Sequence, residues 1–145
     1  MSTREDIASN LVTVIGSISS PSVRKVTRQP FELDELSQAQ YPAVLIQTIE
    51  ETKEDQEIGS GAKTRICTLE FGITGYVKGS ESNIDTARNN LASAIETALE
   101  TDITRNGNAL DTEVISIETD AGSLFPYGAV LITVRVIYEH QAATP

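Results

Sequence analysis

The stretch KTRICTLEFGITGYVK, residues 63–78, decides the fold. Cys67, Leu69, Phe71, Ile73 and Val77 occupy one set of alternate positions, and Thr64, Thr68, Glu70 and Thr74 occupy the other. Side chains on a strand point to opposite faces in turn, so this pattern predicts a long strand with one buried and one wet face. Gly72 and Gly75 interrupt it and are expected to mark a bulge or bend. Upstream, YPAVLIQTIEE (41–51) reads as a second strand, opened by Pro42 where the first strand residue spares its N–H. Between the two lies KEDQEIGSGA (53–62), longer than the roughly two to five residues a hairpin turn needs. It reads as an acidic arm with Gly59 and Gly61 as joints.

Two helices flank the strands. Ile7, Leu11, Val14, Ile15 and Ile18 recur at helical spacing, which predicts a helix over residues 3–17, with Ser2 and Glu5 spaced as a capping box and Pro21 beyond the end. Ile84, Ala87, Leu91, Ala94, Ile95, Ala98 and Leu99 predict a second helix over 84–101, whose alanines let it lie close to a sheet. Asn106-Gly107 follows as a turn requiring positive φ. SVRKVTR (22–28) is a short strand candidate. TEVISIET (112–119) and GAVLITVRVIYEH (128–140) close the chain as two more strands.

The order is thus α-β-β-β-α-β-β, in one domain spanning residues 1–145. It predicts an α+β layer: a mostly antiparallel sheet of about five strands with both helices on one face. The last strand complicates this. Val130, Ile132, Val134 and Val136 make one apolar face, and Ala129, Leu131 and Ile137 make the other largely apolar too. Such a strand expects cover on both sides. Either a partner subunit or the segment at residues 31–40 supplies the second cover.

Composition narrows the function. The net charge of −10 over 145 residues argues against a protein that grips nucleic-acid phosphates. No apolar run approaches the roughly 20 residues of a membrane span, and the N-terminus lacks the basic start of a signal peptide, so a soluble cytoplasmic chain is expected. Cys67 and His140 are the single members of their types. Cys67 falls on the apolar face of its strand and reads as a core residue; His140 sits in a polar tail and reads as exposed. The carboxylates Glu50, Glu51, Glu54, Asp55 and Glu57 lack calcium-loop order, GSG at 59–61 lacks the lysine of a phosphate loop, and there is no GxSxG elbow. No catalytic, cofactor or metal site is expected. The one basic patch, Arg24, Lys25 and Arg28, reads either as a solubilised sheet edge or as a contact for an acidic neighbour.

Taken in order, TREDIASNLVTVIG, RQPFELDELSQAQYPAVLIQ and FGITGYVKGSESNIDTARNNLASAIETAL resemble the tail terminator and tail completion proteins of long-tailed bacteriophages. The resemblance covers nearly the whole chain. It implies a non-enzymatic virion protein, assembled in the host cytoplasm. A ring of such subunits, a homohexamer, caps the tail tube, ends its polymerisation and joins tail to neck or connector. DNA would pass through the lumen without specific binding, which the acidic balance suits. Such a ring needs two different complementary patches per subunit. Arg24, Lys25 and Arg28 are expected as one, Glu54, Asp55 and Glu57 as the other, with Leu131 and Ile137 on the open face. The competing readings are a small-molecule-binding regulatory module, which rests on fold analogy, and an enzyme without a standard signature.

Overall fold

The computed structural model describes residues 2–55, 63–80, 82–122 and 124–145. Helix α1 (Thr3–Gly16) is followed by β1 (Lys25–Thr27), two single turns of 3-10 helix (Leu33–Glu35 and Gln38–Gln40), β2 (Ala43–Asp55), β3 (Thr64–Lys78), α2 (Ile84–Thr101), β4 (Asp111–Thr119) and β5 (Tyr127–Gln141). The five strands form one sheet in the order β1-β2-β3-β5-β4. Its pairs are antiparallel except β1 with β2, which run parallel. The predicted α+β class and element order hold, with that parallel pair as the refinement.

Alternation along β3 translates directly into packing. Cys67, Leu69, Phe71, Ile73 and Val77 are buried, and they meet Ile7, Leu11 and Ile15 of α1 and Leu91, Ile95 and Leu99 of α2 in one core. Val130, Ile132, Val134 and Val136 of β5 join from the same face. Both helices therefore cover one side of the sheet. The hydrophobic stripe of each helix sets which way it faces, and burial of that stripe rather than helix propensity holds it in place.

The two glycines of β3 serve close approach. A Cβ at position 75 would stand 2.6 Å from Leu91 Cδ2, so Gly75 lets α2 lie down on the strand. A Cβ at position 72 would stand 3.0 Å from Ile49 Cδ1. β3 keeps a continuous register with β5, and the irregularity lies in its other partner, between Thr48 and Glu50 of β2. The expected bulge therefore belongs to the neighbouring strand.

Local chemistry fixes the ends. Ser2 Oγ accepts from Glu5 N (3.2 Å) and caps α1. The Glu5 carboxylate does not return to complete the box; it accepts from Arg28 Nη1 (2.5 Å), tying α1 to the residue after β1. Beyond α2, Arg105, Asn106 and Gly107 take positive φ, as the Asn-Gly pair predicts for the last two. Arg105 is fully buried and donates from Nη2 to the carbonyl of Leu99 (2.5 Å) and to that of Asp102, so a side chain closes the C-terminal turn of α2.

Candidate functional site

Side chains with chemistry to offer lie on three surfaces: the end of the sheet beyond α1, the sheet's uncovered face, and its two edges.

The first holds a polar cluster. β2 runs to Asp55, so Lys53, Glu54 and Asp55 are strand rather than loop, which corrects the reading of the arm. The register then sets Lys53 beside Cys67 and Cys67 beside Tyr138. Arg4 donates to both oxygens of Glu51, from Nε (2.9 Å) and Nη2 (2.6 Å), and Tyr138 donates its hydroxyl to Glu51 Oε1 (2.5 Å). Lys53 Nζ lies 3.3 Å from Glu51 Oε2, 3.5 Å from Cys67 Sγ and 2.7 Å from His140 Nε2. Because His140 Nδ1 is 2.7 Å from the Gln141 carbonyl, Nδ1 carries a proton and Nε2 accepts from the lysine. Burial pushes the Glu51 carboxyl up, but the bonds from Arg4, Tyr138 and Lys53 outweigh it and bring its pKa to about 2. Burial, then the bond to Glu51, pushes the Tyr138 phenol up.

His140 is thus a strand residue inside a network, which corrects its placement in an exposed tail. Cys67 is buried, as its alternate position predicts. Lysine stands between the two, so they form no nucleophile–base pair. No cluster of three or more His, Cys, Asp or Glu able to hold a metal occurs among the described residues. The cluster seals the core where the helix layer ends.

The second surface is the face opposite the helices. Phe31 packs edge-on against Tyr76 (centroids 5.5 Å apart), and Tyr41 stacks by Tyr127 (5.6 Å) while donating to the Leu33 carbonyl (2.5 Å). The segment at 31–41 therefore covers one corner of this face. It does not reach Leu131, which is exposed, or Ile137, which is half-buried. Ile49, 59% exposed, projects at the β2 bulge beside Gly72 and toward Leu131. Arg135 stands between them and Ile137, paired with Glu113 (3.1 Å) and more distantly with Glu70 (3.9 Å). This face is a mixed apolar and ionic surface.

At the edges, the basic patch divides. Arg28 is held by Glu5, whereas Arg24 and Lys25 enter no ion pair among the described residues. The acidic patch divides too. Asp55 is paired with Arg65 (2.7 Å) and Lys63 (3.8 Å), and Glu54 is exposed on β2. Glu57, Gly59 and Gly61 lie outside the described residues. Sequence reasoning missed a third pairing: Arg88 of α2, buried, binds Asp85 (2.8 Å) and Asp120, whose carboxylate also accepts from Leu124 N (3.1 Å) and Ala129 N (3.3 Å). Burial pushes the Asp120 carboxyl up, but these donors hold it below the usual range. Arg88 lies on the face of α2 that the apolar stripe marks as inward, and that placement is its one signal in the sequence.

A groove of about 750 Å³ runs between the segment after α1 and α2, lined by Ser17, Ser20, Asn90, Ser93 and Thr97 among others. Its volume matches small-molecule sites. Yet it is open, small-residue-lined and without a charged group, so it lacks the convergent anchors such sites use. No helix among the described residues is long and apolar enough to cross a membrane.

No family model matches the chain, and no curated protein matches it. Among solved structures, it is similar to a chain from one described as "Virion of native gene transfer agent (GTA) particle", at 10% identity and a TM-score of 0.39, over 90% of this chain and 84% of that one. A likeness at that level carries no argument about what this chain does.

Proposed function

We propose that this protein is a structural subunit of a phage-like tail: a non-enzymatic chain that forms a ring, caps the tail tube and joins it to the neck or connector. The observation that carries the reading is the one-sided sheet. Two helices bury the centre of one face, while the other presents Ile49, Leu131 and half-buried Ile137 beyond the reach of the 31–41 segment. A subunit built to pack against its own kind and against a tube leaves such a surface. The sequence resemblance to tail terminators points the same way, and the net charge of −10 suits a lumen that lets DNA slide. In this reading the protein belongs to the virion and needs no cofactor.

The test is assembly. Purified protein is incubated with tubes polymerised from the tube protein encoded beside it and viewed by negative-stain electron microscopy. Rings at one end of tubes that have stopped growing are expected. Tubes that elongate unchanged and carry no added density would overturn the proposal.

A further inference from the structure

Four of the large apolar side chains left in solvent sit at one edge of the sheet. Ile103 and Leu110, in the turn before β4, and Ile115 and Ile117, within it, are each between 39% and 53% exposed. β4 is an edge strand of nine residues, DTEVISIET, with neither Lys, Arg nor Pro. Natural edges are blunted by such residues, by brevity or by bulges. β4 has one bulge, between Val114 and Ser116, and otherwise offers an open row of backbone donors and acceptors beside exposed isoleucines. An edge of this kind is a ready template for a further strand.

Charge chooses the occupant. Asp111, Glu113 and Glu118 make β4 acidic, so pairing it with β4 of a second copy would set like charges together. The opposite edge is β1, with Arg24 and Lys25 free of ion pairs among the described residues. Register adds a second match. Val26 pairs with Val44, Val44 with Gly75, Gly75 with Val130 and Val130 with Thr119, so β1 and the end of β4 lie on one transverse row. β1 runs antiparallel to β4 by the same pairings. Thr27 shares its row with Glu118, and Lys25, two residues away, lies on the same face. If the sheet of one copy continues into the next without offset, Lys25 of one reaches Glu118 of the other as a diagonal cross-strand pair, about 7–8 Å apart at the backbone.

We infer that β4 of one subunit pairs antiparallel with β1 of a second copy, so that the sheet runs on from subunit to subunit through a heterologous, head-to-tail contact that closes into a ring. This rests on the ring reading above but replaces its acidic patch: the counterpart of the basic strand is β4 rather than Glu54, Asp55 and Glu57.

Sedimentation and light scattering across about 1–100 μM give the association constant of the wild type. Ile115→Lys and Ile117→Lys are expected to abolish association while circular dichroism stays unchanged, because both side chains are exposed. Glu118→Lys and Lys25→Glu are each expected to weaken it about tenfold, and the double variant to restore it. Several results would overturn the inference: intact association in both isoleucine variants, no recovery in the charge swap, or tighter association of Glu118→Lys, which is the signature of β4 meeting β4. Rings that survive all four substitutions would sink this inference and leave the ring itself standing. A wild type that stays monomeric throughout, on tubes as well as in solution, would sink both.

Discussion

The two faces of the sheet are made by the same strands and obey different rules. On the helix side, Leu69, Phe71, Ile73, Ile132, Val134 and Val136 are wholly buried. On the other side, the residues between them are Glu70, Gly72, Thr74, Thr133 and Arg135, with Leu131 and Ile49 projecting. The first face specifies the fold of one chain. The second mixes charged and small polar side chains with a few exposed apolar ones. Substitutions on the two faces should therefore separate stability from assembly.

The largest effect is expected at Phe71→Ala. It removes a fully buried ring between the helices and the sheet, and such deletions cost about 3–5 kcal/mol through lost burial and the cavity left behind. Chemical denaturation would show the midpoint falling sharply. A loss under about 1 kcal/mol would mean that the helix layer is not what holds this sheet.

Next is the acid limb. Glu51 has its folded pKa lowered to about 2 from the ordinary 4.5 of a free glutamate. Its contribution is therefore present above about pH 4.5 and is lost as pH falls through that window toward 2. The amount is about 3.5 kcal/mol at most, by the usual ~1.4 kcal/mol per unit. Glu51→Gln should lower stability at neutral pH and flatten the loss between pH 4.5 and 2. An unchanged acid limb in that variant would show that Glu51 is not the titrating group.

A middling effect is expected at Gly75→Ala. The added methyl would press on Leu91 Cδ2 and lift α2 from β3, costing about 1–3 kcal/mol of overpacking. Gly72→Ala meets the exposed Ile49 side chain, which can move aside. The ratio of the two losses compares the faces at one strand, and equal losses would contradict the contrast drawn between them.

How much of this was legible follows the range of the signals. The period of β3 and the stripes of α1 and α2 are local patterns, and they gave the layer, the element order and the buried Cys67. Length at strand ends was not legible: Lys53, Glu54 and Asp55 look like loop because their charges are solvated, yet they pair with Cys67, Ile66 and Arg65. The polar cluster was invisible for a different reason. Arg4 and Glu51 are 47 residues apart, and Lys53 and His140 are 87 apart. Only register brings them together, and no periodicity encodes which residue of one strand lies opposite which residue of another. The basic patch was found, but that Arg28 already serves Glu5 depends on where α1 lands on the sheet.

The smallest effect on stability is expected where the functional consequence is greatest. Leu131→Asn lies on the open face, beside Ile49 and across from Thr74, and its side chain already meets water. Surface changes of this kind usually move stability by no more than about 0.5 kcal/mol. If a tube or a neighbouring subunit covers this face, the same substitution removes an apolar contact from the interface and leaves an amide to be desolvated there, so tube capping should weaken while the melting temperature holds. The comparison would break in either of two ways. A large drop in melting temperature would mean that the face is part of the monomer's own core, and capping at wild-type strength would mean that nothing rests on it.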